Sequence, residues 1–360
     1  MEIKENKKYW KKLTRNKGAL AGMAIIILCV FIAVFAYYIS PDSSPNANRM
    51  VVEIGGQKPG FTQLFLKIPK EQGTDEPSAL ARLVSGKRDE FDYLPIQGYE
   101  WRSDSVIANK YIDEGITDRI AYPVSSFPAG ENIAVEKIKF ILGTDKYGRD
   151  ILSRLIVGVR VSLGVGIVTV ILSVLIGVLL GAVAGYFRGR TDNIIMWFIN
   201  VVWSIPTLLL VFAITLVLGK GFWQVFIAIG LTTWVNVARL IRGQVMAIKE
   251  LEYVEAARAL GFGPSRIIVR HILPNVMGPV IVIAASNFAT AIVIEAGLSF
   301  LGVGVQPPQP SWGLMIKENY NFIITHNPML ALAPGFAIMV LVLAFNMLGN
   351  GLRDALQVKE

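Results

Sequence analysis

Residues 18–39, GALAGMAIIILCVFIAVFAYYI, contain no charged side chain. As a helix rising 1.5 Å per residue, the run would reach about 33 Å, enough to cross the hydrocarbon core of a bilayer. Further apolar runs occupy about 162–186, 194–218, 222–238, 276–300 and 329–350. Six such runs leave few folds open, because backbone groups in lipid must be satisfied inside a helix or a closed barrel. With 53% hydrophobic and 17% charged residues, the chain cannot hide its apolar surface in one soluble core. The expected fold class is all-α and polytopic, with six transmembrane helices. A cleaved signal peptide competes for the first run, since KENKKYWKKLTRNK precedes it. The run is too long for a signal core and no A-x-A site follows, which favours an uncleaved anchor.

The net charge of +8 gathers beside these runs. Lys4, Lys7, Lys8, Lys11, Lys12, Arg15 and Lys17 lie in the N-terminal arm, and Arg188 and Arg190 in FRGRTDN. Arg239, Arg242, Lys249, Arg258, Arg266 and Arg270 precede the fifth run, and Arg353 and Lys359 lie in the tail. The opposite short loops offer Lys220 and Lys317. The positive-inside bias then places both termini in the cytoplasm and explains the charge by membrane flanks, with no nucleic-acid partner. Residues 40–140 mix charges, aromatics, Gly and Pro, and FTQLFLKI and KIKFIL have strand character. They are expected to form an α+β extracytoplasmic insertion that caps the structure and contacts an external partner. The division is thus a cytoplasmic arm (1–17), a first transmembrane helix (18–39), the insertion (40–140) and a five-helix core (141–360) with a cytoplasmic loop at 250–275.

Catalytic signatures are missing: no G-x-x-x-x-G-K-[ST], H-E-x-x-H, C-x-x-C or G-x-S-x-G pattern occurs. Cys29 is the single cysteine, and His271 and His326 stand far apart in sequence, so no metal site is expected. Glu295 is the one ionisable residue assigned to a span interior, near its outer end, where interfacial placement is expected; ion-coupled transport would call for several. The chain is therefore read as a non-catalytic subunit driven by a partner. Gly177, Gly181 and Gly185 form one stripe on which another helix can pack closely. Pro206 should kink its span, with Ser204 and Thr207 helping to satisfy freed backbone groups. Asn200, Ser204, Thr207, Thr233, Asn236, Asn287 and Thr290 are candidates to line a polar pathway, though polar span residues also serve as interhelical hydrogen bonds.

Between two spans lies EYVEAARALGFGPSRIIVRHILPN, residues 252–275. Helical spacing puts Tyr253, Ala256, Ala257 and Leu260 on one face, with Glu252 and Glu255 opposite and Arg258 at the edge. Gly261 is placed to stop the helix, Gly263 to allow a sharp turn, and Pro264 to open a second helix. Ile267, Ile268, His271 and Ile272 share a face of that helix opposite Arg266 and Arg270, and Pro274 is expected to end it. A hairpin lying on anionic lipid is one reading. The exposed glutamates favour docking in a groove of a cytoplasmic partner.

EAARALG at 255–261, nine residues, then HILP at 271–274 resembles the EAA loop of ABC importer permeases. His271 stands where that pattern has isoleucine, a departure that peptide-type permeases share. LGTDKYGRDILSRL at 142–155, GVQPPQPSWG at 304–313 and LAFNMLGNGLRDAL at 343–356 resemble the C-type permease of dipeptide and oligopeptide importers. The likeness covers most of the chain and is weaker over residues 40–140. It implies a bacterial inner-membrane permease that moves peptides by alternating access. It also implies partners: two ABC ATPase subunits carrying ATP and Mg, a related B-type permease, and an external peptide-binding protein. This chain itself would bind no cofactor. The 252–275 hairpin would be its coupling element. A metal-chelate importer of the same family and an ATP-independent secondary transporter remain as alternatives.

Overall fold

The computed structural model describes residues 11–70, 78–113, 115–127, 134–324 and 327–356. The chain divides into two compact units: Met1–Val30 with Ser162–Gln306 and Ile338–Glu360, and Phe31–Val161 with Pro307–Ala337. Five helices are long and apolar enough to cross a membrane: α1 (Lys17–Val34), α2 (Ile151–Phe187), α5 (Phe222–Ile248), α7 (Pro264–Phe300) and α8 (Met329–Leu356). Helices α3 (Gly189–Ser204) and α4 (Thr207–Leu218) qualify only as a pair, bent by 94°. Helix α6 (Glu252–Ala259) lies between α5 and α7.

The expected kink at Pro206 is a full break. Proline disfavours helical geometry at the residue before it, and Ile205 is accordingly extended (φ −95°, ψ 130°). The Ser204 hydroxyl donates to the Val201 carbonyl at 2.8 Å, one of the acceptors a helix end leaves open. Helix α1 also stops short of the expected residue 39, at Val34, before a separate turn at Ala36–Ile39. In the other direction, α5 runs past 238 to Ile248, so Arg239 and Arg242, read from sequence as loop residues, are helical.

The glycine stripe explains how the helical unit packs. A Cβ on Gly177 would meet the Trp234 carbonyl oxygen at 2.8 Å, one on Gly181 the Ala238 oxygen at 2.5 Å, and one on Gly185 the Arg242 oxygen at 2.7 Å. Both series advance by four residues together, so α2 and α5 run in the same direction. Helices α7 and α8 run oppositely: Phe288 stacks on Phe345 with ring centroids 3.9 Å apart, and Gly278 faces Leu356. Helix α1 is also antiparallel to α8. Gly22 lies against Ala344, Gly351 against Ala19, and the Asn16 amide donates to Asp354 at 3.2 Å.

The second unit is α+β and carries a five-stranded antiparallel sheet of order β4-β3-β2-β1-β5. The strands are β1 (Phe61–Pro69), β2 (Phe91–Trp101), β3 (Ser105–Asp113), β4 (Ile116–Pro123) and β5 (Val135–Phe140). Apolar side chains cover both faces: Leu66, Ile96, Val106 and Phe127 join one cluster, and Ile54, Phe65, Tyr111 and Phe140 another. The LGTDKYGRDILSRL segment builds a buried ion network in this unit. Arg149, 1% exposed, bonds Asp145 at 2.6 Å and Glu318 at 2.7 Å. Asp145 also accepts the backbone N–H groups of Tyr147 and Arg149. The Trp312 indole of GVQPPQPSWG donates to the Leu155 carbonyl at 3.0 Å and covers Gly158.

Substituting Gly181→Ala should lower stability by about 1–3 kcal/mol, because the added methyl meets backbone that cannot swing away. Gly243→Ala, where a Cβ meets nothing within 4 Å, should cause no loss. Thermal unfolding of the purified protein in detergent distinguishes the two.

Candidate functional site

Residues 252–275 form a folded hairpin built on the end of α5. Its first helix carries Glu252 and Glu255 in the first turn and Arg258 in the last, charges that complement the helix dipole. Gly261 ends it at φ +79°. The Gly261 N–H bonds the Arg258 carbonyl at 2.9 Å and the Phe262 N–H bonds Ala257 at 3.2 Å, the paired reversal of a Schellman stop. Gly263, expected to supply a sharp turn, is ordinary extended backbone (φ −65°, ψ 156°) leading into Pro264. The left-handed turn falls on Gly261 alone.

The buried side of α6 is Val254 and Ala257, which join Ile267, Ile272 and Val276 in one cluster with Tyr186, Val237, Ile241 and Val245. Of the face that carries Tyr253, Ala256, Ala257 and Leu260, Ala257 is buried, while the other three are exposed beside Glu252 and Glu255. Leu260 is 74% exposed. In the second segment Ile267 and Ile272 are buried, Ile268 and His271 half-buried, and Arg266 and Arg270 exposed, as their spacing suggests. Arg266 lies over the Phe262 ring at 4.0 Å, and Phe262 stacks on His271 at 6.0 Å.

Pro274 does not end the helix. Residues Ile268–Ile272 form a π turn, with the Leu273 N–H reaching back to Ile268, and Pro274 sits in the first turn of the α segment that follows. The wider turn absorbs the N–H that proline lacks, so α7 continues to Phe300. Asn275, to which no role was assigned from sequence, clasps the hairpin. Its amide donates to the Tyr253 hydroxyl at 3.1 Å and to the His271 carbonyl at 2.8 Å. The cue was its place in HILPN, three residues past the π turn. At the base, Lys249 donates to the Tyr186 carbonyl at 2.6 Å, and burial pushes its ammonium below the usual lysine value.

A second feature is a cavity of about 470 Å³ in the helical unit. Thr207, Thr233, Asn236, Asn287 and Thr290 all line it, with Trp203 among the apolar residues of its wall. Asn200 and Ser204 do not: Asn200 accepts from Arg239 at 2.7 Å, and Ser204 is the helix-end donor described above. Asn287 also donates to Ser173 at 3.3 Å, and Thr233 bonds the Ile229 carbonyl at 2.9 Å. Asn236 and Thr290 are exposed. Glu295 lies 1% exposed, near the C-terminal end of α7, and accepts from the Ser299 hydroxyl at 2.6 Å. It is buried in protein five residues before the end of the helix. Among the described residues no group of three His, Cys, Asp or Glu could hold a metal ion.

The geometry is that of a membrane subunit with a polar cavity and a protruding charged hairpin, and the comparisons with known proteins agree. The chain belongs to the family of binding-protein-dependent transport system inner membrane components, whose model matches residues 177–359. Residues 7–53 match the N-terminal TM domain of oligopeptide transport permease C, so the chain resembles the C-type branch. It is 42% identical over 218 residues to the glutathione transport system permease protein GsiD of Pectobacterium atrosepticum, covering 61% of this chain and 72% of that protein. The oligopeptide permease OppC of Bacillus subtilis is 42% identical over 217 residues, covering 60% and 71%. The dipeptide permease DppC of Alkalihalophilus pseudofirmus is 43% identical over 217 residues, with the same coverage. The inward-facing methionine ABC transporter MetNI overlaps 57% of this chain and 97% of its own at 19% identity and a TM-score of 0.47, too loose a fit to carry an argument.

Removing the clasp with Asn275→Ala should weaken the hairpin by about 1 kcal/mol, the usual worth of such bonds. Hydrogen exchange should then quicken at residues 252–262 and stay unchanged in the middle of α5.

Proposed function

We propose that this chain is the permease subunit of an ATP-driven importer that moves peptides across the cytoplasmic membrane of a bacterium. The peptide substrate is proposed from the relatives, whose names specify oligopeptides, dipeptides and glutathione. The coupling mechanism rests on one observation. The hairpin's inner face is part of the same apolar cluster as α2, α5 and α7, while Glu252, Tyr253, Glu255, Ala256 and Leu260 face outward. A partner gripping the outer face would move the helices through the inner one.

Two ATPase subunits would hold ATP and Mg and dock on this hairpin and on that of a B-type permease. An external peptide-binding protein would deliver substrate. ATP binding then needs only to favour one arrangement of the helices over another, and the hairpin carries that difference in free energy. The polar cavity would form this chain's share of the pathway.

Helix directions support six crossings with both termini in the cytoplasm. Helices α2 and α5 point the same way, which supports reading the α3–α4 segment between them as one bent span. Helix α1 begins beside the end of α8, which returns the C-terminus to the side of the N-terminus. The basic flanks favour the cytoplasm for that side, which is the reading proposed for both termini.

Purification from the native membrane should bring down ATPase subunits, and the reconstituted complex should take up labelled peptide only with ATP. A Gly261→Val substitution forces a β-branched residue to a left-handed φ at a cost of about 1–2 kcal/mol. It should lower uptake per ATP hydrolysed while the complex still assembles. Isolation without any ATPase partner would overturn the proposal.

A further inference from the structure

Arg239 is a cation inside a candidate span. Among the described residues it forms no ion pair, whereas Arg242, one turn later, is held by Asp192 at 2.6 Å through two hydrogen bonds. Lys249, at the end of the same helix, is satisfied by a helix-end carbonyl. Arg239 lies about 13 Å before the end of α5, at 1.5 Å per residue, and is half-buried. Its guanidinium sits 4.1 Å from the centre of the Trp203 ring. One Nη donates to the Asn200 amide oxygen at 2.7 Å, and its Nε is buried with no acceptor.

The Trp203 ring is also part of the wall of the polar cavity, together with Thr207, Asn236 and Thr290. A guanidinium laid on an indole and steered by one neutral oxygen is fixed in direction but keeps its full charge. Its fork matches a carboxylate, which can accept two parallel hydrogen bonds from it. Ionisable groups in spans are costly and mark substrate or ion routes. A buried N–H without an acceptor adds to that cost until a ligand supplies one.

We infer that Arg239, which stands against Trp203 beside the cavity rather than in its wall, is a specificity-determining residue of the pathway, engaging the terminal carboxylate of a peptide as it passes. The inference rests on the peptide reading above. The arriving carboxylate takes the place of the Asn200 oxygen, the Trp203 face keeps the guanidinium aligned, and the local charge is neutralised for the passage. No bond is made or broken.

The test uses the complete reconstituted importer and one tripeptide in two forms, free acid and C-terminal amide. Both forms are first shown to bind the external binding protein, so that any difference in uptake at saturation belongs to the permease. The wild type should favour the free acid by about tenfold or more, the worth of a charge-assisted pair. Arg239→Gln should bring the ratio near one by losing free-acid uptake while retaining uptake of the amide. Arg239→Lys, which keeps the charge without the fork, should retain part of the preference. Should Arg239→Gln fail to assemble, Arg239→Lys decides, with a reduced ratio supporting the inference and an unchanged one overturning it. A wild-type ratio near one, or an Arg239→Gln importer that keeps the wild-type ratio, overturns the inference and leaves the peptide reading intact. Wild-type uptake of neither form removes the peptide reading and this inference with it.

Discussion

Glycine on α2 against backbone carbonyls on α5 is the contact on which the helical unit depends. At Gly177, Gly181 and Gly185 any side chain would collide with the facing helix. In lipid, close van der Waals packing of this kind replaces the hydrophobic effect as the force between helices. The register joins α2 to α5 in one direction. It thereby brings the ends of both helices to the hairpin.

That arrangement gives the hairpin its mechanical character. Val254 and Ala257 of its short helix, and Ile267 and Ile272 beyond the glycine stop, are packed among Tyr186 of α2 and Val237, Ile241 and Val245 of α5. Interiors packed this densely pass displacement on rather than absorb it. The Lys249 bond to Tyr186 and the Asn275 clasp close the hairpin at its base and its open end. The outward side, with Glu252, Glu255 and Leu260, is exposed. The cavity is lined from α3, α4, α5 and α7, and α5 and α7 also pack against the hairpin.

Much of this was legible from residue spacing. The glycine stripe, a bend at Pro206 (which the structure makes a full break) and the helix stop at Gly261 are local rules with one physical answer each. β1 and β5 were visible in FTQLFLKI and KIKFIL, short runs rich in aromatic and branched side chains. β2 to β4 were not: Pro95 and Gly98 interrupt β2, and Asp118 and Arg119 make β4 read as loop, so only pairing with neighbours holds them straight. Of the residues that spacing groups on one face of α6, only Ala257 is buried, because the hairpin turns Val254 and Ala257 toward Ile267 and Ile272. Pro274 was read as a stop because a π turn, which accommodates it, leaves no mark in the apolar pattern. Arg239 was assigned to a loop for its charge, although Trp203 and Asn200 hold it in a helix. Five of the proposed pathway residues share the cavity, and two serve the helix ends and Arg239 instead.

The central claim is that the outer face of the hairpin meets a nucleotide-hydrolysing partner in the cytoplasm. It is tested most directly with a single thiol at Leu260→Cys, after replacing the chain's one native cysteine by Cys29→Ser. In native membranes a short thiol-to-amine cross-linker should join position 260 to an ATPase subunit, with a yield that changes when ATP and Mg are added. Labelling of that thiol by an impermeant reagent from the outer side, with no protein joined to it, would contradict the account.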